Sequence, residues 1–168
     1  MNSDKNSFLF SKISLSQIGA LGHSYGGATS YQTAYQDERV RAAIDIDGTI
    51  FNFEDKVLTK PFAFYVAQDT KNFQLFDSDQ AFNNTQGDTY KVIFNGFFHG
   101  TFGGGDLFWQ WDYPDFVVGH GTISAIRANE LISSTVRQFF DKYLKDASAP
   151  WLDKNESTPK ELEVEKIN

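Results

Sequence analysis

Residues Gly22-His23-Ser24-Tyr25-Gly26, inside "GALGHSYGGAT", follow the pattern G-x-S-x-G. An apolar run precedes them and small residues follow, so the sequence predicts a strand, a sharp turn with Ser24 at its tip, and a helix. Such a turn forces unusual dihedrals on the serine and asks for glycine two residues to either side. It lifts the Ser24 hydroxyl above the sheet, at the N-terminus of the following helix. There the helix dipole and the backbone N–H of Tyr25 can stabilise an oxyanion. His23 is expected to point away from the serine and to serve the structure.

A serine hydroxyl is a poor nucleophile at neutral pH, so a base must take its proton and a carboxylate must orient that base. Two of the three histidines lie downstream of Ser24. His99, in "FNGFFHGTF", sits just beyond a candidate strand, where a loop can bring an imidazole over the sheet edge; it is the preferred base. His120, in "VVGHGT", reads as a loop or helix-entry residue. Three carboxylates compete for the acid. Asp45 and Asp47, in "AAIDIDGTIF", close a second candidate strand and share a face if the period of two holds. Asp69, in "FYVAQDTKNF", ends a third strand and is the other candidate. Local physics leaves the choice among them open.

The elements that must position these groups are legible as an alternation. Short apolar runs at 17–21, 40–46, 62–67 and 90–94 predict strands, the middle two apolar enough to be covered on both faces. Residues 27–37 suit a helix. Residues 122–144 suit a longer one, with Ala128, Ile132, Val136, Phe139 and Tyr143 forming an apolar stripe. Strands alternating with helices imply a parallel α/β sheet. After Lys145 the chain turns polar, with Pro150 and Pro159, and is expected to be a loosely held tail. The division expected is therefore a catalytic portion over 1–145 and a polar tail over 146–168. No internal repeat is visible.

Composition narrows the partners. A formal net charge of −7 argues against nucleic acid and against electrostatic attraction to an anionic membrane. The absence of cysteine excludes disulfides and thiolate metal sites, and the histidine spacing offers no zinc site. No stretch resembles a transmembrane span, and residues 1–7 are too polar for a signal peptide. Localisation stays open, since an export signal would lie upstream of Met1. Seventeen phenylalanines read mainly as core. The aromatic run "FFHGTFGGGDLFWQWDYPDF" reads equally as an apolar wall for acyl chains, with peripheral lipid contact, or as a loop packed on itself. Asn83 and Asn155 match the short glycosylation pattern, which is common by chance.

"GHSYGGAT", "VRAAIDIDGTIF" and "YKVIFNGFFHGTF" together resemble the plasma-type platelet-activating-factor acetylhydrolase family and its bacterial relatives, which are α/β-hydrolase-fold serine esterases. The likeness runs over about residues 13–145 and includes the helix ending "RQFFDKYLKD". The resemblance implies Ser24 as nucleophile, Asp47 rather than Asp69 as acid, and His99 as base. It also implies calcium-independent hydrolysis of short or oxidised acyl chains from phospholipid-like esters, with no cofactor.

The chain departs from the family in one large respect. Members of the fold place several strands before the serine strand, whereas only fifteen polar residues precede it here. The expected architecture is thus the C-terminal half of an α/β-hydrolase fold: four mostly parallel strands with flanking helices, and the N-terminal strands missing. Tyr25 would act as the sole oxyanion donor, at a cost on the order of 3 kcal/mol in the transition state. Strand 17–21 would be left as an unpaired edge. Two other readings follow. One takes the chain as an inactive remnant or interaction module that pairs this edge with another chain. Alternatively, the same triad would serve a peptidase or acyltransferase.

Overall fold

The runs at 40–46, 62–67 and 89–94 combine β-branched, aromatic and small apolar residues, the composition of strands buried on both faces. In a computed structural model, which describes residues 4–51, 57–69, 84–104, 121–154 and 157–168, they form β2 (Val40–Ile46), β3 (Phe62–Ala67) and β4 (Thr89–Phe94). With β1 (Ile18–His23) and β5 (Leu162–Lys166) they make a five-stranded sheet in the order β1-β2-β3-β4-β5. The first three pairings are parallel and β4–β5 is antiparallel.

Among the described residues, two α-helices cover the two faces, each for its own chemical reason. Helix α1 (Tyr25–Gln36) buries Tyr31 and Ala34 against Val40, Ala43, Phe62 and Phe64. The buried Ser30 hydroxyl lies 2.6 Å from the Ile44 carbonyl, which ties α1 to β2. At the other end of α1, Lys60 Nζ donates to the Ala34 and Asp37 carbonyls at 2.7 Å, neutralising the negative end of the helix. Helix α2 (Ala125–Lys145) starts at Ser124, whose side chain accepts from Arg127 N, and packs on the opposite face. Ala128, Leu131 and Phe139 are buried there against Ala42, Ile44, Tyr65, Tyr90 and Phe94. Of the predicted stripe, Ala128 and Phe139 reach the core, while Ile132, Val136 and Tyr143 flank it half-buried.

The polar tail is the main correction. The described residues after Lys145 are held, not loose: Ala149 and Leu152 are buried in the α2-side core, and "LEVEK" pairs along β4 as β5. Its signal is a period of two. Leu162 and Val164 face the core while Glu163 and Glu165 do not, as in an antiparallel strand with one wet face. Net polarity hides that alternation. Arg127 of α2 grips Glu161 at 3.1 Å and Lys166 meets Asp88 at 2.8 Å, fixing both ends of the strand.

At the opposite edge, β1 hydrogen-bonds only to β2 among the described strands. Its burial alternates, and Leu21 is 53% exposed.

Candidate active site

Ser24 stands between β1 and α1 with φ 58° and ψ −124°, a conformation an L-residue adopts at a cost of about 1–3 kcal/mol. Its N–H donates to the Ile46 carbonyl at 2.8 Å, so the serine turn is fastened to the end of β2. Its hydroxyl does not cap α1, although serine is a preferred residue at that position. The glycine requirement is unequal. A Cβ on Gly22 would lie 2.2 Å from the Gly26 carbonyl oxygen, whereas a Cβ on Gly26 meets nothing within 4 Å. Tyr25 opens α1, so its N–H has no intrahelical acceptor. Its side chain is exposed.

His99 begins a 3-10 turn, His99–Gly103, just past β4. This turn is anchored beneath by Phe97 and Phe102, which pack on Phe94 with ring centroids 4.9 and 5.2 Å away. Thr101 Oγ1 accepts from both Phe98 N and Gly121 N at 3.1 Å. Gly96, at φ 81°, turns the chain and donates its N–H to Gln68 Oε1 at 2.8 Å. Thr101 and Gln68 carry no motif that would have flagged them from sequence.

The structure brings Asp47 and His99 together. Asp47 Oδ2 accepts from His99 Nδ1 at 2.7 Å, and Asp47 Oδ1 accepts from Ala67 N at 2.9 Å. The Asp47 side chain is fully buried, and 46% of the His99 side chain is exposed. This hydrogen bond raises the His99 pKa above its ordinary value, partly offset by burial and assisted by the charges of Asp47 and Asp69. Asp69 lies half-buried beyond β3, where its charge reaches His99, but the carboxylate on Nδ1 is that of Asp47.

The shared-face expectation for Asp45 and Asp47 fails for a local reason. β2 ends at Ile46 and Asp47 takes φ 54°, which breaks the alternation. Asp45 instead lies against α1 at Gly27, buried to 1% exposure. His23 also does more than the sequence suggests. Its Nε2 lies 3.0 Å from the His99 carbonyl oxygen, and the two rings are 4.5 Å apart. Burial, and then the neighbouring His99, lower its pKa, which favours a neutral ring that donates Nε2–H to that carbonyl. His120, Asn83, Asn155 and residues 105–116 of the aromatic run lie outside the described residues. Among the described residues, no group of three or more His, Cys, Asp or Glu side chains is arranged to hold a metal ion. No described helix is long and apolar enough to cross a membrane.

A mostly parallel sheet covered by helices, with a strained serine between its first described strand and helix, is the arrangement of an α/β-hydrolase. The chain superposes on a ferulic acid esterase from Streptomyces cinnamoneus with TM-score 0.77 and 26% identity. That match covers 99% of this chain and 51% of the esterase, so the chain spans about half the length of this solved relative. Residues 3–159 match the family model described as platelet-activating factor acetylhydrolase, isoform II, and the chain belongs to that family.

Proposed function

We propose that this chain carries the catalytic residues of a serine hydrolase acting on carboxylic esters. The observation that carries the reading is the 2.7 Å bond from His99 Nδ1 to the buried Asp47. With the proton held on Nδ1, the Nε2 lone pair is free to act as a base. In this account His99 takes the Ser24 proton as Oγ attacks the acyl carbonyl, and the Tyr25 N–H holds the oxyanion. Collapse expels the alcohol, which receives the proton from His99. Water, deprotonated by the same imidazole, then attacks the acyl-enzyme and releases the acid and free Ser24. The family relationship supports short or oxidised acyl chains of phospholipid-like esters as substrates, and the solved relative keeps aromatic acyl esters in view.

A panel of acetyl, butyryl, long-chain acyl and feruloyl esters tests this directly. Hydrolysis of the short acyl members, abolished by Ser24→Ala, is the expected result. Preference for the feruloyl ester moves the substrate class towards that of the solved relative. No hydrolysis of any member by folded protein contradicts the reading.

One observation favours a second reading: β1 has a single neighbour among the described strands, and the large apolar side chain of Leu21 is exposed. An interaction module would pair that edge with a strand of another chain. A sample that sediments as a monomer and hydrolyses esters argues against it.

A further inference from the structure

The mechanism above leaves one buried ionisable group unused. Asp45 is 1% exposed and sits at the C-terminal end of β2, two residues before the acid. Its Oδ1 accepts from Gly48 N at 2.8 Å, while its Oδ2 has no hydrogen-bond partner among the described residues. A carboxyl is an expensive filler for an apolar layer, so its presence there calls for a function that an alanine or valine would not supply.

Its neighbours on both sides are glycines with no room for anything larger. A Cβ on Gly27, in the first turn of α1, would lie 1.9 Å from Asp45 Oδ1. A Cβ on Gly48 would lie 2.4 Å from the same oxygen, 2.3 Å from the Ser24 carbonyl oxygen and 2.9 Å from Ala28 N. The carboxyl therefore touches the helix that the serine begins and the turn that the acid begins. Gly48 itself is pressed against the serine's own carbonyl. Asp47, between these contacts, is held at φ 54° with its N–H donated to the Tyr65 carbonyl at 2.7 Å.

We propose that Asp45 is a positioning residue: a buried carboxyl wedge, bonded to Gly48 and packed against Gly27, that sets the separation of the Ser24 turn from the Asp47 turn. The acceptor at Oδ1 fixes the turn after Asp47, and the bulk of the carboxyl keeps α1 from closing onto it. Burial pushes its pKa up to about 7, so at or below neutral pH the site need not hold a full charge. Its effect on rate rests on the ester-hydrolase reading, but its effect on His99 does not. His99 senses the wedge through Asp47, whose hydrogen bond raises the imidazole pKa.

The test uses the full chain and two independent readouts: the His99 pKa from NMR titration of its ring Cε1 proton, and the rate of Ser24 labelling by a fluorophosphonate. Asp45→Ala is expected to melt cooperatively, to drop the His99 pKa back towards the ordinary value, and to slow labelling by about tenfold or more, since displacement of about 1 Å can cost about 10²-fold. Asp45→Asn, which keeps an acceptor oxygen and similar bulk, is expected to rescue both. If Asp45→Ala fails to fold, Asp45→Ser, with less bulk and a shorter reach, takes its place with the same expected direction.

Folded Asp45→Ala (or Asp45→Ser) with a wild-type His99 titration overturns the proposal. So does Asp45→Asn behaving like Asp45→Ala, because the bond to Gly48 would then not be what matters. A wild-type chain that takes no label on Ser24 defeats the hydrolase reading alone, and the His99 titration still decides the role of Asp45.

Discussion

At the residue scale the site is a set of constraints on one imidazole. Asp47 holds Nδ1, and His23 holds the His99 backbone carbonyl. Asp47→Asn presents an amide where a carboxylate is needed and favours the wrong tautomer. It is expected to lower kcat by about 10³–10⁴-fold with little change in KM. The base must be neutral to act, so activity should rise as pH passes through a His99 pKa lying above 6.5. Whatever residual activity Asp47→Asn keeps should show this acid limb shifted to lower pH, and a kcat/KM profile across pH 5–9 checks the sign. The candidate nucleophile Ser24, the preferred base His99 and three competing carboxylates were readable as expectations from G-x-S-x-G and the order of residues after it. The carboxylate that meets His99 was not readable from local residue types, and only the family resemblance pointed to Asp47: Asp45 and Asp47 stand two residues apart at the end of β2 and differ in which side of it they face. A left-handed φ at Asp47 decides that, and residue types do not encode it visibly.

At the scale of elements, the strands and helices came through well where burial on both faces left a continuous apolar run. The segments 40–46 and 62–67 coincide with β2 and β3. β5 was hidden because charged residues alternate with its apolar ones and a Pro-containing polar stretch precedes it. The serine turn offers a sharp contrast between its two glycines. Gly22→Ala places a Cβ 2.2 Å from the Gly26 carbonyl oxygen and should distort the turn, with loss of labelling at Ser24 and a marked fall in melting temperature. Gly26→Ala meets nothing within 4 Å and, as an alanine in a helix, should raise stability by about 0.5–1 kcal/mol. Thermal melts of the two variants side by side check this. A larger Gly26→Ala penalty than Gly22→Ala would contradict the described turn.

For the whole molecule, the buried Asp45 links stability to pH. Its pKa is raised from 3.8 to about 7, mainly by burial, so the folded state holds the proton more tightly than the unfolded chain does. Its contribution is fully present below about pH 4 and is lost as pH rises through about 7, a difference on the order of 4 kcal/mol. His99, whose pKa is also raised, adds a smaller loss of the same sign above 6.5, screened by its exposure. Denaturant melts from pH 5 to 8 should show wild-type stability falling, and Asp45→Asn should remove most of the slope. An unchanged slope would contradict the burial of this carboxyl. The sheet as a whole is asymmetric. Among the described strands, β5 with its ion pairs forms one edge, while β1, which leads directly into the serine, forms the other. The serine turn is therefore supported mainly from the β2 side, through the Ser24 N–H to Ile46 bond and the Asp45 wedge.

The central claim, that His99 and Asp47 activate Ser24, is tested most directly by incubating the folded chain with a fluorophosphonate and locating the adduct by mass spectrometry. The account predicts a single adduct on Ser24, absent in Ser24→Ala and reduced by about 10³-fold or more in rate in His99→Ala. A folded chain that remains unlabelled at Ser24, or that labels equally fast without His99, would contradict it.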